Sequence, residues 1–279
     1  MTVLEVLQIS TEFLRKHEIE NARLNAEHLL AHLLGRTRME LYLEFERNLA
    51  ETDLKQLRDL IKRRSRGEPL QHLLGTVEFC GHVFKIDKRA MVPRPETEQL
   101  VELVIADCET RRPGRIVDIG TGSGIIALSL GKEFPNADIL AVDISEDALA
   151  LARENAERLD LAGRISFKKG DLLEEIAERF DLIVANLPYL SMQERPSLSR
   201  EVLHDPEIAL FGGEGGDELI RELINQSPTH LNPGGLLALE IGVGQSDGLE
   251  TLLRQKNLHD IDTKKDYSGI PRFLFARYG

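Results

Sequence analysis

Three glycines alternate with small polar residues in Gly120-Thr121-Gly122-Ser123-Gly124, directly after the run Ile116-Val117-Asp118-Ile119. An apolar run ending in such a turn reads as a buried strand whose carboxyl end opens to a ligand. Glycine permits both the tight turn and the close approach of backbone to that ligand. The section around it keeps the same rhythm. Strand candidates are residues 115–119, 139–144, 164–168, 181–185, 236–241 and 272–278, and helical stretches rich in Ala, Leu and Glu separate the early ones. Ser145 stands where an N-cap belongs for a helix over 146–159. Alternation of this kind predicts an α/β fold with a parallel, doubly wound sheet and ligands at the carboxyl ends of its strands.

The glycine spacing narrows the ligand. A dinucleotide fingerprint needs its third glycine after two intervening residues, and that position is Ile125. GxGxG preceded by the carboxylate of Asp118 is instead the pattern of S-adenosylmethionine sites, a cofactor with no pyrophosphate to cradle. A purely structural turn is the competing reading. Asp143 ends the next strand, roughly 20 residues on, where nucleoside-binding doubly wound folds place an acid on the ribose hydroxyls; a helix N-terminal charge is its plainer role. Gly170-Asp171-Leu172 follows the third strand, either at the adenine edge or as a simple turn. The expected cofactor residues are therefore Asp118, Gly120, Thr121, Gly122, Ser123, Gly124, Asp143, Asp171 and Leu172, with Asn186 added from the loop described next.

The strand 181–185 runs into Asn186-Leu187-Pro188-Tyr189. An amide or exocyclic amine nitrogen is a poor nucleophile because its lone pair is delocalised. Two acceptors aimed at its hydrogens localise that pair and hold the nitrogen in line for methyl transfer. The Asn186 side-chain oxygen and the Leu187 carbonyl can be those acceptors, and both stabilise positive charge developing on the nitrogen. Pro188 stiffens the loop and holds Leu187 extended. Tyr189 offers a flat face for a planar target group. These four residues are the catalytic and substrate-binding candidates; a strand-to-loop turn with a buried tyrosine is the alternative.

Residues 1–66 read as all-helical. Val3, Leu4, Leu7 and Leu14 recur at helical spacing, and the stripe Ala26, Leu29, Leu30, Leu33, Leu34 ends at Gly35, which suits a C-cap. Leu54, Leu57, Leu60 and Ile61 lead into Lys62-Arg63-Arg64-Ser65-Arg66, read as a solvated helix terminus or as a docking patch for RNA or a partner. After Gly67-Glu68-Pro69, Val77 and Phe79 with Phe84 and Ile86 flank Gly81 as a β-hairpin. The expected division is a helical substrate-recognition domain over 1–66, a linker and hairpin over 67–92, and a cofactor-binding domain over 93–279.

Charge and cysteine content set the remaining bounds. With 35 Lys+Arg against 47 Asp+Glu, the net charge of -12 weighs against a dedicated nucleic-acid binder. Two cysteines and eight scattered histidines suggest neither a metal site nor a disulfide scaffold. No apolar run is long enough for a membrane span, and the acidic, amphipathic start is unlike a secretory signal. A monomer in the cytoplasm, bound to no membrane, is expected.

Beyond these motifs the chain carries Arg66-Gly67-Glu68-Pro69-Leu70-Gln71, Val92-Pro93-Arg94-Pro95-Glu96-Thr97-Glu98, Asp205-Pro206, Asp266-Tyr267 and Arg272. Together with 118–124, Asp143 and 186–189, these resemble the peptide chain release factor glutamine methyltransferases along essentially the full length. The resemblance implies a class I methyltransferase fold: a mostly parallel seven-stranded sheet, a small helical N-terminal domain and a connecting β-hairpin. It also implies S-adenosylmethionine as cofactor. The substrate would be the glutamine of the Gly-Gly-Gln loop of release factors, methylated on its side-chain amide in support of translation termination. Arg94 and Glu96 would lie near the entrance for cofactor or substrate; a surface cap on a helix over 97–106 is the alternative. In one respect the chain departs. The family usually has proline at the position of Leu187, and Asn-Leu-Pro-Tyr is similar to the loop of ribosomal RNA adenine dimethyltransferases, so an adenine N6-methyltransferase is the second reading.

Overall fold

The computed structural model describes all 279 residues, Met1–Gly279, and divides into two compact units. The first comprises Met1–Val77 together with Leu198–His204, and the second Glu78–Ser197 with Asp205–Gly279.

The first unit holds helices α1 (Val3–Lys16), α2 (Ala22–Leu34), α3 (Arg38–Leu43), α4 (Glu51–Ser65) and α5 (Leu70–Leu74). Thr2 and Glu5 close a capping box on α1, and Thr37 with Glu40 repeats it on α3. Gly35 ends α2 in the left-handed conformation that the sequence suggested. The leucine stripes meet in one core, with Leu7, Leu14, Leu29, Leu30 and Leu41 almost wholly enclosed. At roughly 2 kcal/mol per buried side chain, this packing rather than helix propensity holds so short a set of helices together.

The basic run at the end of α4 is only partly solvated. Arg63 pairs with Glu68. Arg64, 5% exposed, donates from Nε to Asn25 Oδ1 at 2.6 Å and from Nη2 to Glu201 Oε2 at 2.6 Å. The residue read as a dipole-complementing surface charge is thus the tie that holds α2, α4 and the segment 198–204.

The chain passes from the first unit to the second within β1 (Thr76–Phe79), which forms a hairpin with β2 (His82–Lys85) and turns at Cys80-Gly81. The second unit continues with α6 (Pro95–Asp107), β3 (Arg115–Ile119), α7 (Ile125–Glu133), β4 (Asp138–Asp143), α8 (Glu146–Arg158), β5 (Ile165–Lys169) and β6 (Phe180–Asn186). The short strands β7 (Leu190–Ser191) and β8 (Phe211–Gly213) follow, then α9 (Glu218–His230), β9 (Leu231–Glu240), α10 (Ser246–Gln255), β10 (Leu258–Lys265) and β11 (Pro271–Tyr278).

Seven strands form one sheet in the order β10-β11-β9-β6-β3-β4-β5. From β9 to β5 all neighbours are parallel, and β11 runs antiparallel between β9 and β10. The chain winds outward through β4 and β5, then returns to place β6 on the other side of β3. That reversal is the switch point at which doubly wound sheets open a crevice. Ile119 pairs with Ala185, so the glycine loop and the Asn186 loop leave adjacent strand ends side by side.

Several bounds differ from expectation. β5 begins one residue later than read, and β9 starts at Leu231, with Pro233 near its beginning where a strand tolerates proline. The edge strand β10 escaped the sequence altogether. Its residues Leu258-His259-Asp260-Ile261-Asp262-Thr263-Lys264-Lys265 bury little, so no apolar alternation marks them.

Candidate active site

The carboxyl ends of β3, β4, β5 and β6 surround a cavity of about 280 Å³. Gly120, Thr121, Gly122, Ser123, Asp143, Asp171, Leu172, Asn186, Leu187 and Pro188 line it; Asp118, Gly124 and Tyr189 do not.

Asp118 lies beneath the glycine loop with no solvent exposure. Its Oδ2 accepts from Thr121 Oγ1 at 2.6 Å and from the Ala127 amide at 3.1 Å, while Oδ1 has no hydrogen-bond partner. Burial pushes this carboxyl up to about 7. Its part in the site is to shape the loop. Gly124 sits with φ 81° against α8, where a Cβ would come within 2.9 Å of the Ala152 Cβ. Asp143 does face the cavity. Its Oδ2 accepts from the Gly122 amide and its Oδ1 from the Ser145 amide, each at 2.8 Å. Each oxygen keeps a lone pair for a further donor, and burial raises this carboxyl as well.

Most of the loop's donors are engaged within the fold. The amides of Gly120 and Thr121 bond the Val142 carbonyl, that of Gly122 bonds Asp143, and that of Gly124 bonds the Thr121 carbonyl. With a carboxylate at the wall and glycine backbone close by, the cavity suits a nucleoside that carries positive charge.

On the other side of the cavity, Asn186 donates from Nδ2 to Thr97 Oγ1 at 2.9 Å, and Thr97 donates to Glu240 Oε2 at 2.9 Å. Glu240 is 1% exposed and stands opposite Asn186 across the β6–β9 pairing. Desolvation pushes its carboxyl up to about 7, against the opposing pull of Thr97 and Arg272. Tyr189 points its hydroxyl at Glu240 Oε1, 3.4 Å away, and the Arg272 guanidinium lies over its ring, 5.8 Å from the centroid. Burial first and Glu240 second hold this phenol above its ordinary range.

The loop is fixed without a second proline. Leu187 is buried and rests on the glycine loop: a Cβ on Gly120 would come within 2.9 Å of Leu187 Cδ2. Gln245 donates to the Tyr189 carbonyl at 3.0 Å. Gly216, at φ 95°, lies so close beneath that carbonyl that a Cβ would stand 2.6 Å from it. The stretch Gly212-Gly213-Glu214-Gly215-Gly216 thereby backs the loop, with Glu218 accepting from the amides of Gly215 and Gly216.

Sequence reasoning missed Thr97, Glu240 and this glycine-rich backing. A signal existed for Glu240, the lone acid in the apolar run Leu236–Ile241. Thr97 read only as the first residue of the helix over 97–106. Arg94 and Glu96 do not line the cavity, whereas Pro93 and Thr97 do. Arg94 pairs with the buried Asp205, which also accepts from the Val92 amide, so the Asp205-Pro206 motif anchors the approach to α6.

Residues 5–75 match the family model of the PrmC N-terminal domain, and residues 97–217 that of the methyltransferase small domain. A release factor glutamine methyltransferase of Geobacter sulfurreducens is 38% identical, over 100% of this chain and 97% of the relative. The chain belongs to the release factor glutamine methyltransferase family. Another such relative, from Bradyrhizobium diazoefficiens, is 42% identical over 95% of this chain and 91% of its own length. Among solved structures, a ribosomal protein L11 methylase from Lactobacillus delbrueckii subsp. bulgaricus has 28% identity and a TM-score of 0.51, covering 67% of this chain and 81% of that one. A 16S rRNA guanine methyltransferase from Thermus thermophilus, solved with AdoMet and guanosine, has 19% identity and a TM-score of 0.55 over 73% and 50%, a likeness of fold alone. The protein is thus an enzyme of the methyltransferase class with the family's helical N-terminal domain. No helix is long and apolar enough to cross a membrane.

Proposed function

We propose that this methyltransferase uses S-adenosylmethionine to methylate the side-chain amide nitrogen of the glutamine in the Gly-Gly-Gln loop of peptide chain release factors, in the service of translation termination. The observation that carries the reading is the single cavity in which Asp143 and the glycine loop face Asn186, Leu187 and Pro188. Gly120, Thr121, Gly122 and Ser123 would hold the cofactor by close backbone approach, Asp143 would accept from its ribose hydroxyls, and Asp171 and Leu172 would border its base. The bound cofactor supplies an electrophilic methyl group. The chain's own work is to present the nucleophile. With Nδ2 of Asn186 engaged by Thr97, the amide oxygen accepts from the target NH2, and the Leu187 carbonyl accepts its second hydrogen. Together they localise the nitrogen lone pair and stabilise the positive charge that develops there.

The first unit offers a surface for the factor. Ile9 is 58% exposed at the rim of an apolar groove of about 150 Å³ between α1 and α4, which Val6, Phe13, Leu57 and Ile61 line with Arg58 and Lys62. The same reading puts the enzyme in the cytoplasm with its substrate.

The test incubates the protein and labelled cofactor with a folded release factor and, in parallel at low salt, with ribosomal RNA and DNA. Label mapped by mass to the loop glutamine, and lost when that glutamine becomes alanine, is expected. Label on nucleic acid with none on the factor overturns the proposal.

A further inference from the structure

Thr97 stands between two partners and has one proton to give. Its oxygen lies 2.9 Å from Glu240 Oε2 and 2.9 Å from Asn186 Nδ2. A carboxylate only accepts, so an ionised Glu240 takes the hydroxyl proton, and the Thr97 oxygen is left to accept from Asn186. That fixes the amide: NH2 inward to Thr97, oxygen outward to the substrate. Shape alone does not choose, because the two ends of a primary amide are nearly the same size. A flipped Asn186 would meet the target NH2 with another NH2. The second oxygen of the same carboxylate faces the Tyr189 hydroxyl, so one buried acid governs two side chains of the loop.

We infer that Glu240 and Thr97 are positioning residues, which set the acceptor end of Asn186 toward the target nitrogen. The inference rests on the amide-methylation reading above. When Glu240 is protonated it can donate to Thr97, whose own proton then turns to Asn186, and the orientation is no longer locked. The groups that bear on Glu240 are Arg272 from β11, Glu96 and Thr97 from α6, and Tyr189 from the loop, with Arg94 acting on Tyr189. Burial holds the carboxyl up at about 7. The lock therefore operates above that pH and weakens below it.

The test uses full-length protein with a folded release factor. Wild type must first label the factor; if it does not, the functional reading fails, independently of the relay. Given labelling, Thr97→Val should lower kcat by about tenfold, the worth of one or two hydrogen bonds, with cofactor affinity by calorimetry and KM for the factor little changed. Thr97→Ser, which keeps the hydroxyl, should restore most of the rate. In an Asn186→Ala background, Thr97→Val should cost nothing further, because its effect passes through Asn186. Wild-type kcat should rise with pH through about 7, and Glu240→Gln should flatten that limb at a lower rate. Full kcat in Thr97→Val, an equal loss in the Asn186→Ala background, or failure of Thr97→Ser to restore the rate would each overturn the inference. Should Thr97→Val not bind cofactor, the Glu240→Gln profile decides alone: a persisting acid limb overturns the inference and its loss supports it.

Discussion

At Asp118 no part of the residue reaches solvent, and a carboxyl pushed up to about 7 holds the loop from below through Thr121 and Ala127. At Asp143, in the same loop system, both oxygens accept backbone amides and the side chain still borders the cavity. The motif made both aspartates legible in the sequence but could not separate their work, since burial is a property of the packed sheet. Asp143→Ala should weaken S-adenosylmethionine binding by about 1.5–3 kcal/mol, the range for hydrogen bonds to a charged group. Calorimetry on the folded variant checks this, and unchanged affinity would remove Asp143 from the site. Glu240 shows the opposite limit. Its neighbours in sequence are apolar, and its partners Thr97 and Asn186 are supplied by α6 and β6. Only the fold brings them within reach.

Among the elements, strands buried on both faces could be read from their apolar runs, whereas β10, with its charges turned outward at the sheet edge, could not. The loop after β6 was legible as residue types, and its support was not. Leu187 in place of proline leaves the loop one ring less stiff, yet Gln245, the short pairing of β7 with β8 and the glycines at 212–216 hold its backbone. The close approach of Gly216 to the Tyr189 carbonyl leaves no room for a methyl group. Gly216→Ala should therefore displace the loop and depress kcat by at least about tenfold, since small misplacement of positioning groups is costly. Cofactor affinity should stay close to wild type, because the glycine loop after β3 is untouched. Slowed methyl transfer with retained binding is the expected pair of readings; normal turnover would show that the loop does not depend on this backing.

For the molecule as a whole, the charge of -12 could be counted from the sequence, while the membership of the first unit could not be read from it. No periodicity in 1–77 reveals that residues 198–204 complete it. Arg64 records that closure in its contacts with Asn25 and Glu201. Arg64→Ala leaves those acceptors without their cation and should cost about 3 kcal/mol, as breaking a buried pair does. Hydrogen exchange should locate the loss in α2 and α4. Protection there equal to wild type would mean the tie is ornamental.

A unit assembled from two separate stretches of chain also has a history in time. A ribosome making this protein finishes α1–α5 about 120 residues before it reaches Leu198. At synthesis rates of 5–20 residues per second, the helices emerge roughly ten seconds ahead of the strand of chain they await. During that interval the guanidinium of Arg64 has only its local partners, and the helical unit cannot be completed until β6 and the Asn186 loop have been made. On the proposed role of the first unit as the docking surface, recruitment of the factor is thereby deferred, by the order of the chain alone, until the segment 186–189 exists.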